Sequence, residues 1–186
     1  MNKSIIQRDF YNRSPLLVAS DLLGKILVRQ IGDQIRSGRI IEVEAYLGHD
    51  DEASHSFKGE TPRTKSLFGS AGHAYIYSIH MYHCLDIVTD GPGIPTSVLI
   101  RALEPLEGVS HMQSARNKDL SRDLASGPGK LCQALGITKD LYGVDMTDFS
   151  SGLYVIDDGF KTQSIVTAPR IGISKSKEDL LRFLLA

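Results

Sequence analysis

The sequence predicts an α+β protein: one mixed domain in which helices flank an antiparallel sheet. Three observations carry that expectation. Short runs rich in β-branched and aromatic residues recur along the chain, and most of their connections are too short for the crossovers a parallel sheet requires. Helix patterns with recognisable start and stop signals lie between them. No internal repeat, low-complexity tract or Pro/Ser linker interrupts the 186 residues, so residues 1–186 read as a single domain. A chain of this length buries about 70% of the surface its unfolded form exposes, and needs no covalent staple.

Taken in order, Ser14-Pro15 followed by LLVASDLLGK predicts a short helix, with Ser at the N-cap, Pro at the first turn and Gly24 as the stop. Lys25–Gln30 reads as a strand, which Gly32-Asp33 turns into a second strand, Arg39–Leu47. The second strand alternates strictly, with Ile41, Val43 and Ala45 on one face and Glu42, Glu44 and Tyr46 on the other. Gly48 to Gly72 is polar, punctuated by Gly and Pro, and has no period; irregular stretches of that length are commonly functional loops. Ala74–Ile79 and Cys84–Thr89 predict two strands joined by His80-Met81-Tyr82-His83, and Ser97–Leu103 predicts another. Helices are expected at Leu106–Asn117 and Lys130–Leu135, the latter stopped by Gly136. Short strands at Leu153–Ile156 and Ile165–Thr167 precede a last helix, LLRFLL, opened by a capping box at Ser176–Asp179.

Composition narrows the function classes. Lys and Arg number 21 against 22 Asp and Glu, giving a net charge of -1 and a pI near 6.6. With no basic field over the whole molecule, a nucleic-acid partner has to be held by a local patch. Two cysteines, Cys84 and Cys132, lack any paired spacing, which excludes a disulfide framework and a zinc finger and points to a reducing compartment. The opening MNKSIIQRDF has no apolar signal-peptide core, and no run of about 18 apolar residues occurs. A soluble intracellular protein is expected.

Glu44 is a carboxylate on the polar face of an otherwise apolar strand. Alone it reads as a solvated edge residue; with Tyr46 two positions on, the pair suits a flat ligand stacked on a ring while the carboxylate handles a proton or water. Tyr75, Tyr77 and Tyr82 fall within nine residues, beside His73, His80 and His83. They pack a sheet, or form a stacking platform with a hairpin tip able to wedge between bases. A metal held by His80, His83 and Asp86 is disfavoured, because the two histidines point to opposite faces of a strand. Phosphate contacts are expected from Lys58, Arg63 and Lys65 in the irregular loop, from Lys130 after Ser126-Gly-Pro-Gly at a helix start, and from Arg170.

Several runs are together similar to the alkyladenine (3-methyladenine) DNA glycosylases: RIIEVEAYLG (Arg39–Gly48), DEASH (Asp51–His55), TPR (Thr61–Arg63), GHAYIY (Gly72–Tyr77), LIRALEP (Leu99–Pro105) and SGPGKLCQAL (Ser126–Leu135). The likeness runs in order from about Phe10 to Gly172. It implies a single domain around a curved antiparallel sheet with a protruding β-hairpin. It also implies a monofunctional base-excision enzyme that flips an alkylated or deaminated purine from double-stranded DNA and hydrolyses its N-glycosidic bond. By position, Glu44 matches the general base and Arg101 the arginine that helps hold the attacking water. Tyr46 and His55 match the residues that sandwich the flipped base, and Tyr77 the pocket wall. Such chemistry requires no metal or organic cofactor, and the resemblance implies a monomer acting in the cytoplasm, on the nucleoid if the cell is bacterial.

Three departures from the family pattern stand out. The hairpin tip, Ser78-Ile-His80-Met81-Tyr82, is one residue shorter than the family's Tyr-Gly-Met tip, so His80, Met81 and Tyr82 are all candidates for the side chain that plugs the duplex. Asp86 stands where the family has an Asn facing the base. The chain also ends sooner than the family pattern, so a last strand or tail is expected to be missing. These changes leave a second reading open, a catalytically impaired lesion-recognition protein that binds DNA without cutting.

Overall fold

The computed structural model describes residues 4–119, 123–162 and 164–186. Its core is one antiparallel sheet whose spine is a 13-residue strand, β3 (Gln34–Tyr46). Along one edge β3 pairs with β6 (Thr96–Glu107), and the sheet continues through β5 (Tyr82–Thr89) to β4 (Ala74–Ile79). Along its other edge the first half of β3 pairs with β2 (Ile26–Ile31), followed by β7 (Leu153–Asp157) and β1 (Ser4–Ile5). The second half of that edge, Glu42–Glu44, pairs with β9 (Arg182–Leu185), which in turn holds β8 (Ile165–Ala168). The sheet does not close on itself.

Both faces of the sheet are covered, and this is what creates a site. On one face Ile40, Val43, Ala45, Ile76, Leu85, Ile87, Val98 and Ile100 pack with α2 (Pro15–Leu22), α3 (Val109–Arg116) and α4 (Pro128–Leu135) in the main apolar core. A four-residue helix, α1 (Arg8–Tyr11), precedes them. On the opposite face Tyr75, Tyr77, Cys84, Val88 and Leu99 form a smaller cluster with Leu67, against which Tyr46, Phe68 and Tyr142 pack. Here the cover comes from the irregular loop and from the chain around Arg170 and Leu181 rather than from helices. No helix among the described residues is long and apolar enough to cross a membrane.

The strict alternation expected in β3 fails at one point, with a clear cause. Ile40 pairs with Leu103 and Glu42 with Ala102, leaving Ile41 extra; then Val43 pairs with Ile100, leaving Arg101 extra on β6. Two bulges, one on each strand, offset one another. Ile40 therefore replaces Ile41 on the core face, fully buried beside Val43 and Ala45, and Ile41 is only half-buried.

Other expectations shift similarly. The helix expected from Leu106 starts at Val109, because β6 goes on pairing to Glu107 and Gly108, with φ +73°, makes the turn. The last helix is not formed: LLRFLL ends in strand β9, which completes the open edge of β3 opposite Glu42–Glu44. Six apolar-rich residues make too short a helix to stand without tertiary support, and a waiting strand edge offers better hydrogen bonding. The irregular loop holds two single turns, Gly48–Asp50 and Lys65–Phe68. Side chains tie it down: Ser56 Oγ donates to the Pro95 carbonyl at 2.8 Å, and the Thr61 and Thr64 hydroxyls meet at 2.9 Å.

Candidate active site

On the second face lies a cavity of about 500 Å³, within the range of small-molecule sites. Tyr46 from β3, Tyr75 and Tyr77 from β4, Cys84 and Asp86 from β5, and Ser97, Leu99 and Arg101 from β6 line it. Ser54 and His55 of the irregular loop and Ile171 of the late chain close it. Five residues anticipated from sequence, Tyr46, His55, Tyr77, Asp86 and Arg101, thus meet around one space.

Glu44 lies immediately behind them and is completely buried. Its Oε1 accepts the Ile171 backbone N–H at 2.8 Å and sits 3.2 Å from Arg101 Nη1. Its Oε2 accepts the Tyr46 hydroxyl at 3.0 Å. An ionised carboxylate has about four acceptor sites, so Oε2 can still take one further donor, such as a water. The bulge aims Arg101 at this group: its Nε donates to Glu42 Oε1 at 3.0 Å, and Glu42 also pairs with Arg182 at 3.1 Å. Two carboxylates and two guanidiniums balance at the junction of β3, β6 and β9.

Tyr46 is held from both sides. Burial, then the charges of Glu44 and Asp86, lift its phenol far above the ordinary range, so it serves as a donor. The guanidinium of Arg170 lies over the ring, 4.6 Å from its centre. Arg170, expected as a phosphate contact, is instead inside the protein. It makes a two-pronged pair with Asp51 at 2.5 and 2.8 Å and donates to the Ala45 carbonyl at 3.0 Å. Burial alone would raise the Asp51 carboxyl; the Arg170 bonds and the N–H groups of Leu47 and Ala53 outweigh it and hold the carboxyl below its usual range. Sequence reading missed this pair because its partners are 119 residues apart; its one local trace is Asp51 heading the DEASH run.

The remaining walls are aromatic. Tyr75 and Tyr77 stack at 5.2 Å and 25°, and the His55 ring meets Tyr77 edge-on at 4.6 Å. His55 opens to solvent at the mouth, yet its Nδ1 faces the Tyr75 hydroxyl at 3.0 Å. Desolvation of that inner edge, then the Arg63 charge, pull the imidazole down to about 4, so the ring is neutral at pH 7. Asp86 is buried, with Oδ2 accepting the Ser97 hydroxyl at 2.9 Å and Oδ1 without a partner.

The hairpin stands at the rim, where Ile79 lines the cavity. Its turn is His80-Met81, with φ +52° at His80, and Ile79 pairs with Tyr82. Met81 is 92% exposed and Tyr82 52%. A Cβ at Gly129 would lie 2.8 Å from Tyr82 Cβ, so only glycine lets the start of α4 close on the hairpin. Pro128 completes the rim. Arg63 is exposed on the loop, and Lys130, close behind, shares its charge with Asp123 at 2.5 Å. Among the described residues, no three His, Cys, Asp or Glu side chains converge on a metal-sized site.

A buried carboxylate behind a ring-walled cavity sets a proton acceptor beside room for any of several planar groups. Comparison with known proteins specifies which: residues 9–186 match the methylpurine-DNA glycosylase family, and the chain belongs to it. It is thus a hydrolase of DNA base excision repair, with an N-glycosyl bond of damaged DNA as its target. Relatives from Methanocella arvoryzae, Koribacter versatilis and Desulfitobacterium hafniense each bear the name "Putative 3-methyladenine DNA glycosylase". They are 49%, 45% and 45% identical over 96%, 97% and 92% of this chain and 89%, 89% and 88% of their own.

Breaking the Asp51–Arg170 pair on one side should destabilise the fold. Arg170→Met strands a buried carboxylate and is expected to cost about 3–5 kcal/mol in urea unfolding. Arg170→Lys should recover little, lacking the two-pronged geometry. The double variant Asp51→Leu/Arg170→Met, with no stranded charge, should recover most of the loss; a double variant as unstable as the single one would contradict this account.

Proposed function

We propose that this chain is a monofunctional glycosylase that turns an alkylated purine of the 3-methyladenine type, or a deaminated one, out of double-stranded DNA into the Tyr46–His55–Tyr77 cavity and cuts it free. The observation that carries the reading is the Glu44 carboxylate, buried behind the cavity with acceptor capacity left on Oε2.

Glu44 Oε2 receives a proton from a bound water, whose oxygen attacks C1′ of the deoxyribose. The C1′–N bond breaks, its electron pair leaves with the base, and C1′ keeps the hydroxyl as an abasic site. The transition state is oxocarbenium-like, and the Glu44 charge stabilises it as well as accepting the proton. A purine alkylated at N3 or N7 is already cationic and departs as a neutral base, so little acid catalysis is needed. Tyrosine rings favour a cationic base by about 0.5–2 kcal/mol, and the neutral His55 ring adds no opposing charge. Arg101 orients the carboxylate and the water beside it.

A lyase step would need an amine nucleophile, and no lysine is among the described residues lining the cavity, which supports plain hydrolysis. Met81 suits the gap left by the flipped base: it is the freest side chain of the tip, whereas Tyr82 is seated on Gly129. The test is a panel of duplexes each bearing one damaged purine, incubated with the protein and then with alkali. Strand breaks only after alkali support the proposal; lesion binding without any abasic product would support a recognition protein instead.

Two variants refine it. Glu44→Gln keeps size and most hydrogen bonding but not the proton acceptor, so single-turnover excision should fall at least about a hundredfold while affinity for an abasic-site analogue is nearly kept. A rate within a fewfold of wild type would move the base elsewhere. Met81→Ala should weaken lesion-duplex binding and excision more than excision from a single strand, where no gap needs filling; equal losses would argue against a wedge.

A further inference from the structure

One group in the cavity is left unused by this mechanism. Asp86 lies in the middle of β5, 4% exposed, and lines the cavity. Ser97 Oγ donates to its Oδ2 at 2.9 Å and fixes the side chain against β6, while Oδ1 is buried and has no partner among the described residues. An unmet buried oxygen costs free energy and calls for an explanation; here the side chain that carries it lines the space that a base would fill.

A carboxyl group is an unusual choice for that wall, because its hydrogen-bonding sense depends on its proton. Ionised, it only accepts; protonated, it also donates. We propose that Asp86 is the hydrogen-bond selector of the base site: Oδ1 accepts from an exocyclic amino group of the bound purine when ionised, and donates to a ring nitrogen or carbonyl when protonated. Base preference would then follow pH. The inference rests on the base site proposed above.

The surroundings put the change of sense in the working range. Burial first, with the Glu44 charge from β3 adding to it and the Ser97 hydrogen bond from β6 opposing it, lifts the carboxyl to about 7. Five more titratable groups lie near it, the phenols of Tyr46, Tyr75 and Tyr77 and the thiols of Cys84 and Cys132, while the Arg101 guanidinium and the neutral His55 ring line the same cavity. All five have their values raised, so they stay neutral through this range. Asp86 therefore loses its proton as the pH rises through the neutral range.

The test is binding of free bases to the full chain by calorimetry at pH 6 and pH 8. Two pairs isolate the amino group: 7-methylguanine against 7-methylhypoxanthine, and 7-methyladenine against 7-methylpurine. These bases do not themselves titrate across the interval. In at least one pair, preference for the amino-bearing base should rise about tenfold from pH 6 to pH 8, the scale of one charge-assisted hydrogen bond. Asp86→Asn, a donor and an acceptor at every pH, should bind with a ratio that does not move. Ser97→Ala offers a second check: it removes the bond that lowers the carboxyl's value, so the midpoint of the change should shift to higher pH.

Binding with a flat ratio in both pairs, or the same pH response in Asp86→Asn, would overturn the selector and leave the base site standing. A purely structural Asp86–Ser97 tie predicts that flat ratio. If none of the four bases binds, the base site itself fails, and the selector with it.

Discussion

The ion pair between Asp51 and Arg170 holds the second face of the sheet together. It joins the loop after β3 to the chain just after β8, two segments with little regular structure near their junction. Around it everything functional is placed. Arg170 lies over Tyr46, the next residue offers its N–H to Glu44, and Asp51 pins the backbone of Leu47 and Ala53 two residues before His55. Helices would have covered this face with a smooth apolar surface. Irregular chain clamped by a charge pair covers it and still leaves a hollow.

Inside that frame hydrogen-bond donors are arranged around one carboxylate. Three of them, from β3, β6 and the late chain, converge on Glu44. Asp86, on the next strand but one from β3, has a single donor and is pushed toward its neutral form. Two acidic groups in one small region thus have different surroundings, three donors around Glu44 and one beside the buried Asp86.

Much of this was legible in the sequence. Capped helices, alternating strands and the tyrosine cluster lie at or near their expected places, and Glu44, Tyr46, His55, Tyr77, Asp86 and Arg101 assemble as anticipated. What was hidden depended on distant partners. A strand pattern cannot reveal a bulge, because the extra residue is defined only against the neighbouring strand; hence the misplacing of Ile41. LLRFLL carries an apolar pattern compatible with two structures, and only the free edge of β3 decides for strand. Arg170 resembled any surface arginine until Asp51, far away in sequence, accounted for it.

The paired bulges at Ile41 and Arg101 also bear on how such a protein can change over generations. Deleting Ile41 alone would slide β3 by a step and exchange its faces beyond that point, turning Glu44 and Tyr46 toward the apolar core, and deleting Arg101 alone would do the same to Leu99 and Ser97 of β6. Deleting both would restore a regular ladder, but at the loss of the arginine that faces Glu44. The two positions are therefore locked to one another, and a change of length in this stretch has no viable single step.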